Sequence, residues 1–371
     1  MAQSQGQVST KQRSQGMSDL AKQEERTALL LLVPTFLVLI VIAIYPLGQV
    51  FYSSFTNARF AAGGGATSQF IGFENYRELL SMTVRQLPVE TDDAGNPVLD
   101  DDGNVEYENP RIFIRRAMSD TGLSYDSVYT LPLFGNRYVW GATDAAFVRS
   151  IADTLVFTVV AVFLETLLGM IIALALMRKF FGRNVMRTAM LIPWAIITVV
   201  SAKIWEWMFQ STRAGFFNAL FDTLDWTAGR TAFLTNPALQ MPSIIAIDVW
   251  KTTPFMALLL LAGLTTIPAE LYEAAEVDGA SKVRQFFSVT LPLLTPTLAV
   301  ALIFRTLDSL RVFDLFQIVF GESRYSMASF AQDTLISARD VGLSSAASVV
   351  IFIIIFVFAI IYIRALGVDT E

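Results

Sequence analysis

The sequence predicts an all-α, polytopic membrane protein with six transmembrane helices, both termini in the cytoplasm and a mixed extracytoplasmic loop region. First, 54% of its 371 residues are hydrophobic and only 16% are charged, a balance that soluble domains do not show. Second, several apolar runs are long enough to cross the ~30 Å hydrocarbon core of a bilayer. Third, Lys and Arg residues cluster at alternate ends of successive runs. These ends would lie on the same side of the membrane, and such clustering is typical of cytoplasmic loops.

The first predicted span covers residues 27–52 and follows a polar segment, residues 1–26, that we expect to be a flexible cytoplasmic tail. Four Lys and Arg residues lie in this tail, so the positive-inside rule places the N-terminus in the cytoplasm. Pro34 and Pro46 lie inside the span, and proline is a common cause of helix kinks. The span is therefore predicted to be kinked.

Residues 53–149 are predicted to form the extracytoplasmic loop region. A short amphipathic helix is expected at residues 72–80. A hairpin is expected at residues 96–110, with Asp102-Gly103-Asn104 at its turn and four apolar or aromatic side chains on its arms: Val98, Leu99, Val105 and Tyr107. The clustered aspartates raise the alternative of a calcium loop. They lack the EF-hand spacing, and no metal site is predicted.

Residues 150–364 contain five further predicted spans, at 150–177, 189–209, 243–266, 293–320 and 346–363. A short cytoplasmic tail at residues 365–371 follows them. The loop after the second span is basic, which agrees with a cytoplasmic position; its charges are Arg178, Lys179, Arg183 and Arg187.

The polar segment between the fourth and fifth spans predicts a cytoplasmic helix at residues 268–280. Pro268 suits the first helical turn, and Gly279 suits a left-handed residue after the helix end. Three glutamates form an acidic stripe on this helix: Glu270, Glu273 and Glu276. A helix that rests on a bilayer usually carries Lys and Arg toward the headgroups. The acidic stripe therefore favours docking to a protein, with a bilayer-resting helix as the alternative.

Ionisable side chains lie inside the predicted spans, where each costs about 2.5–3.5 kcal/mol unless it is paired or meets water. Asp153 and Glu165 lie in the second span. Three sets have the i, i+3 spacing of helical ion pairs: Lys203 with Glu206, Asp248 with Lys251, and an alternating ladder from Arg305 through Asp308 and Arg311 to Asp314. Self-neutralised pairs that hold helices in register and a hydrophilic path through the membrane both remain open.

The composition excludes several chemistries. The chain has no Cys and no His, which removes thiol nucleophiles, disulfides and histidine acid–base catalysis. It also lacks the GxxxxGK[ST] phosphate loop. No enzyme activity and no cofactor are predicted, and the net charge of −6 does not favour nucleic acid binding.

The cytoplasmic segment resembles the EAA signature of the inner-membrane permease subunits of ABC importers. The matching residues are Glu273-Ala274-Ala275, Asp278-Gly279-Ala280 and Leu291-Pro292. Residues 250–268 and 304–316 are similar to the sugar-permease branch, the maltose-permease-like subunits. This similarity covers residues 147–364 and the first span.

The resemblance implies a permease subunit in the inner (cytoplasmic) membrane that forms half of a path for a sugar. The substrate would be a di- or oligosaccharide, such as a maltose- or trehalose-type α-glucoside. An extracytoplasmic solute-binding protein would deliver it. The implied partners are a second homologous permease, membrane lipid and a dimer of cytoplasmic ATPase subunits, so that ATP hydrolysis takes place on a separate chain.

The resemblance also implies roles for particular residues. An ATPase-coupling role falls on Glu273, Ala274, Ala275, Asp278 and Gly279. Carried over by position, the substrate-pathway candidates are Asp248, Thr252, Phe255, Asp308, Ser309 and Val312, and the intramembrane charges add Lys251 and Arg305.

Two positions depart from the sugar-permease pattern. Asp153 stands where the branch usually has Asn, and Phe320-Gly321-Glu322-Ser323 stands where a Thr-x-Gly-Gly-Pro turn is common. Two alternative functions are kept. One is a proton-coupled secondary transporter that uses the intramembrane carboxylates. The other is an ABC permease for glycerol phosphate, in which Lys251, Arg305 and Arg311 would meet the phosphate.

Overall fold

The computed structural model describes residues 19–60, 68–100, 103–119, 122–226 and 230–365, and these are mostly helical. The remaining parts of the predicted tails, residues 1–18 and 366–371, lie outside this description. In the described residues, five helices are long and apolar enough to cross a membrane, and a bent pair of shorter helices raises the number to six if it counts as one span. The chain divides after Tyr52 into two compact units.

The first unit is built from helix α1 (Asp19–Leu39), a π-helical turn (Ile40–Ile44) and helix α2 (Tyr45–Ser53). The helix thus begins at Asp19, earlier than the predicted start at residue 27. Pro46 lacks an N–H, and its ring clashes with the carbonyl four residues earlier. The wider π turn at Ile40–Ile44 contains that carbonyl and accommodates the mismatch, whereas Pro34 lies within regular α-helix.

Residues 53–149, the predicted loop region, contain a small sheet that the sequence patterns did not predict. Its elements are α3 (Glu74–Leu80), β1 (Met82–Gln86), α4 (Pro110–Ala117), β2 (Asp126–Leu133) and β3 (Asn136–Ala142). The strands are antiparallel in the order β1-β3-β2. Helix α4 packs Ile114 against Val139 on one face of this sheet. Helix α3 confirms the helix predicted at residues 72–80.

The predicted hairpin is present, with Leu99 bridged to Val105 and Val89 bridged to Tyr107. Asp101 and Asp102, part of the predicted turn, lie outside the described residues. The Asp100 carboxylate accepts the Asn104 N–H at 2.8 Å. The described aspartate side chains here therefore serve turn geometry.

Helices form most of the remaining chain. They are α5 (Ala145–Met177), α6 (Arg183–Ala189), α7 (Leu191–Ala195), α8 (Thr198–Met208), α9 (Phe216–Thr223), α10 (Pro237–Leu264), α11 (Ala269–Val277), α12 (Lys282–Gln285), α13 (Leu291–Ser309), α14 (Asp314–Val319), α15 (Met327–Ile336) and α16 (Val341–Ala365). The apolar runs predicted as the second and sixth spans lie within α5 and α16, and the run predicted as the fourth span, 243–266, extends two residues past the end of α10 at Leu264.

The third predicted span, residues 189–209, is not one continuous helix. Helices α7 and α8 meet at a bend of 91°. Ile196 and Ile197, which join them, have extended ψ angles of 131° and 135°. Both residues are β-branched and lie in a β-branched run, which weakens the preference for helix at this point.

The prediction of one helix at residues 293–320 is also wrong. The apolar helix extends in the other direction, from Lys282 through a π-helical turn (Phe286–Thr290) to Ser309. Residues 310–313 leave the helical path, and α14 begins only at Asp314. Arg311 and Asp314 therefore do not continue the helix that carries Arg305.

Helices α5, α10 and α13 pack closely because small residues lie at their crossings. A Cβ atom on Gly169 of α5 would lie 2.9 Å from the Met256 side chain of α10. One on Gly263 of α10 would lie 2.6 Å from the Thr297 hydroxyl of α13. These contacts bring the charged side chains of the three helices to one level.

Candidate functional site

A cavity of about 210 Å³ opens between α10, the end of α13 and the segment that follows α13. Seven of the eight predicted pathway residues line it: Asp248, Lys251, Thr252, Arg305, Asp308, Ser309 and Val312. The structure places the eighth, Phe255, elsewhere. Its ring stacks on Trp194, with ring centres 5.5 Å apart and planes 8° apart.

A buried ion-pair network lies behind the cavity wall. Arg305 donates from Nε and Nη2 to the two carboxylate oxygens of Glu165, at 2.5 and 2.9 Å. The side chain of Glu165 is fully buried, and that of Arg305 is 4% exposed. Such bidentate, charge-assisted pairs are strong and fix orientation. Arg305 also pairs with Asp248, and with Asp308 at 2.9 Å.

Thr252 joins the same network. Its hydroxyl lies 2.6 Å from the Glu165 carboxylate and 2.5 Å from the Asp248 carbonyl, so it can donate to either oxygen. One carboxylate on α5 therefore holds two cavity-lining side chains, Arg305 on α13 and Thr252 on α10. The sequence marked Glu165 as an intramembrane charge but not as a site residue, because its partner lies 140 positions away along the chain.

The network corrects part of the predicted pairing. The Lys203–Glu206 pair is confirmed at 2.7 Å, and so is the first step of the ladder, Arg305–Asp308. The Asp248–Lys251 pair is wrong, because Asp248 turns to Arg305 on another helix. The rest of the ladder is wrong because α13 ends at Ser309.

Ser309 has an unsatisfied hydroxyl on the cavity wall. The residue is 1% exposed, and its Oγ finds no hydrogen-bond partner among the residues that the structure describes. A buried hydroxyl without a partner is costly, so this group favours a ligand with hydroxyls or a bound water. The charged lining is balanced, with three acids against three bases: Asp248, Asp308 and Asp314 against Lys251, Arg305 and Arg311.

The predicted cytoplasmic helix is present as α11, followed by a tight turn. Gly279 has φ +73°, the left-handed conformation that glycine adopts without strain. The Ala280 N–H donates to the Ala275 carbonyl at 2.9 Å and closes the turn. Ser281 then caps α12. No residue of α11 is buried, and Val277 is 88% exposed. The five predicted coupling residues thus lie on an accessible helix and its turn.

The acidic stripe of α11 is only partly available to a partner. Glu276 is paired with Lys282, whose hydrogen bond holds the pKa of that carboxyl below its usual range. Glu270 and Glu273 make no ion pair with any residue in the described ranges. The hydroxyls of Tyr272 and Thr290 hydrogen-bond at 3.0 Å. This bond ties α11 to the π turn that leads into α13.

Comparison with known proteins gives the family. Residues 165–367 match the family of binding-protein-dependent transport system inner membrane components. The chain is 44% identical over 217 residues to a trehalose/maltose transport system permease protein of Thermococcus litoralis, covering 57% of this chain and 72% of the relative. It is 40% identical over 235 residues to a trehalose transport system permease protein of Mycobacterium tuberculosis, covering 62% and 71%.

Two further likenesses extend over most of the chain. A sulfoquinovosyl glycerol transport system permease protein of Agrobacterium fabrum is 30% identical over 341 residues, covering 91% of this chain and 89% of the relative. The crystal structure of a bacterial ABC transporter that imports the acidic polysaccharide alginate matches with a TM-score of 0.66 and 19% identity, covering 95% of this chain and all of that chain. The second likeness concerns the fold.

These matches define the class as integral membrane permeases, which are transport components rather than enzymes. The chain belongs to the binding-protein-dependent transport system inner membrane component family. The resemblance that the EAA segment indicated is thereby confirmed.

Proposed function

We propose that this chain forms half of the path of an ATP-driven importer for a neutral disaccharide or short oligosaccharide of the trehalose/maltose type. The observation that carries the proposal is the cavity lined mainly by α10, α13 and the segment that follows α13, with balanced charge and an unsatisfied hydroxyl on Ser309. A neutral sugar offers hydroxyls to such a wall and brings no charge to compensate. Relatives named for trehalose and maltose transport support the same substrate class.

The topology we propose has six spans with both termini in the cytoplasm. The bent pair that contains α7 and α8 would count as the third span. Support comes from the basic residues around α6, such as Arg183 and Arg187, and from Arg364 near the end of α16. In this topology α11 lies in the cytoplasm and the β-sheet region lies outside.

Coupling would run through α11. A dimer of ATPase subunits would receive α11 in a groove, with Glu273 as the charged anchor, beside Ala274 and Ala275, and with Asp278 and Gly279 at the turn. The Tyr272–Thr290 hydrogen bond would pass the movement to α13. That helix carries Arg305, Asp308 and Ser309. A second permease would complete the path, and an extracytoplasmic binding protein would deliver the sugar.

A second candidate substrate is an anionic sugar or a glycerol phosphate. Lys251 lines the cavity and makes no ion pair within the described part of the chain, so an anion could take that place. The relative named for sulfoquinovosyl glycerol supports this candidate. A proton-coupled carrier receives less support, because Glu165 and Asp248 are both held by Arg305.

The test is uptake by the complex purified from native membranes and reconstituted in vesicles with its binding protein. We expect two copies of an ATPase and one second permease to co-purify, and maltose or trehalose to enter only with ATP. Faster uptake of glycerol 3-phosphate would favour the anionic candidate. Isolation of the chain alone, with transport that needs a proton gradient and no ATP, would contradict the proposal.

A further inference from the structure

A second polar cavity, of about 550 Å³, lies between the first turns of α5 and α10, strand β2 and the segment that precedes α15. Its lining includes two tyrosines and three polar side chains that contact one another: Tyr129, Tyr325, Asp153, Gln240 and Arg324. None of these residues lines the 210 Å³ cavity that contains Asp248 and Ser309. We call that cavity the inner cavity and the present one the outer cavity.

The polar side chains of this outer cavity are held in fixed positions. Arg324 donates to both carboxylate oxygens of Asp153, at 2.6 and 2.7 Å, and to the Gln240 side-chain oxygen at 3.2 Å. The Asp153 and Arg324 side chains are 12% and 20% exposed. Carboxylate, guanidinium and amide groups fixed in this way have defined edges, which suits the hydrogen bonding of sugar hydroxyls.

Asp153 and Arg324 come from distant parts of the chain. They are 171 residues apart, yet their side chains form one bidentate pair. Arg324 lies in the segment that precedes α15, so this segment brings to the cavity the cation that matches the acid on α5.

An aromatic wall completes the outer cavity. Tyr129 projects from β2, and 41% of the residue is exposed. A tyrosine ring combines an apolar face with a polar tip, so it can cover the apolar face of a pyranose ring while the fixed polar groups meet its hydroxyls. The volume of about 550 Å³ lies within the size range of small-molecule sites.

The two cavities lie at successive levels along the same helices. Gln240 and Asp248 are eight residues apart on α10, about 12 Å at 1.5 Å per residue. Asp153 and Phe157, the residue of α5 that lines the inner cavity, are four residues apart, about 6 Å. Ile244, midway between Gln240 and Asp248, is fully buried in a hydrophobic cluster that includes Phe316, so a sugar passes from the outer to the inner cavity along α5 and α10 only when that cluster opens.

We infer that the outer cavity is a second binding site for the neutral sugar, occupied before the sugar reaches the inner cavity. The inference rests on the proposed function. Binding here is weaker than at the inner cavity, because the larger site leaves more of the sugar out of contact with its walls. The outer site collects sugar released at the extracytoplasmic side and orients it for entry.

The absence of cysteine from the chain makes a direct test possible. Single cysteines are placed in the full transport complex as Ala146→Cys on the outer cavity, Val312→Cys on the inner cavity and Ala94→Cys on the exposed turn at residues 92–96. Ser323→Cys provides a second outer position. The rate of N-ethylmaleimide labelling of this chain is followed by mass while maltose is added, with mannitol as the osmotic control.

We expect maltose to protect the outer and inner cysteines at different concentrations and to leave Cys labelling at position 94 unchanged. Tyr129→Ala should raise the maltose concentration for outer protection about threefold to tenfold, the range for one lost aromatic contact. The maltose concentration that protects Val312→Cys should stay the same. Tyr138→Ala, on the same sheet but outside the cavity, is the matched control and should change neither.

The outcomes separate the two claims. Protection at position 312 alone, or outer protection that Tyr129→Ala and Tyr138→Ala change equally, would overturn the outer site and leave the proposed function intact. Outer protection that only Tyr129→Ala weakens supports the outer site. A complex that shows no protection at any position and no maltose uptake would overturn the proposed function itself.

Discussion

Glu165 shows how much one buried side chain can organise. Its carboxylate is fully buried and holds both Arg305 and Thr252, yet it does not line the cavity. Its contribution is therefore to the position of groups that meet the substrate. Substitution tests this separately from substrate contact.

Removal of the carboxylate in Glu165→Ala should destabilise the purified complex strongly, since breaking a buried ion pair costs about 3–5 kcal/mol. Glu165→Gln keeps the side-chain volume and should cost less. Thermal unfolding checks both. Glu108→Gln, which breaks the largely exposed pair with Arg116, is the control and should cost at most about 1 kcal/mol. Equal Tm values for the three variants would contradict the importance of the Glu165 pair.

Local spacing could not have identified this network. It correctly gave Lys203 with Glu206 and Arg305 with Asp308, because those partners are one helical turn apart. Arg305 finds Glu165 and Asp248 on other helices only after packing has brought three spans together. Sequence alone showed that Arg305 needed partners, but not where they would come from.

At the scale of elements, the turn after α11 depends on a left-handed residue. Gly279→Val should abolish maltose uptake while ATP hydrolysis by the partner subunits continues, because a β-branched residue is strained at φ +73°. Gly279→Asn is the matched variant, since Asn tolerates this conformation, and it should retain most uptake. Both activities are measured in reconstituted vesicles. Normal uptake by Gly279→Val would contradict the coupling role.

The hydrogen bond between α11 and the π turn gives a finer test. Tyr272→Phe removes its hydroxyl and should lower the amount of sugar carried per ATP hydrolysed. Tyr362→Phe removes a comparable bond, between Tyr362 and Thr306, and serves as the control. Each bond contributes about 0.5–1.5 kcal/mol to stability, so the Tm values of the two variants should fall by similar amounts. An unchanged amount of sugar carried per ATP in Tyr272→Phe would show that this hydrogen bond does not couple α11 to α13.

The limits of helices were less predictable than their existence. The apolar runs identified α5, α10 and α16, because a run of about 20 apolar residues indicates a membrane-spanning helix. The 91° bend between α7 and α8 and the end of α13 at Ser309 were missed, since hydropathy continues across both breaks. The short strands β1 to β3 were missed because their burial pattern only partly alternates.

At the scale of the whole molecule, the central prediction is orientation. In intact cells, a membrane-impermeant maleimide should label Ala94→Cys in the turn at residues 92–96, and should label Ala275→Cys in α11 only after the membrane is permeabilised. The cysteine-free sequence makes each label specific to one position. Labelling of Cys at position 275 from outside would show that the topology is the reverse of the proposed one and that α11 cannot meet a cytoplasmic ATPase.

Family membership was accessible from sequence through the EAA segment, and the charges near Asp248 and Arg305 pointed to residues that line the candidate cavity. The outer cavity was not, because it depends on the contact between Asp153 and Arg324, which lie far apart in the chain. The lining residues of each cavity come from several elements that meet only when the chain is folded.

The most direct measurement is a cryo-electron microscopy structure of the full complex, trapped with maltose and a nonhydrolysable ATP analogue. The proposed function predicts sugar density in the inner cavity, with a sugar hydroxyl within hydrogen-bond distance of Ser309 Oγ and close to Asp308. It also predicts α11 seated on the ATPase. Sugar density elsewhere in the path, with the Ser309 cavity empty or closed, would contradict this site as the place where the substrate binds.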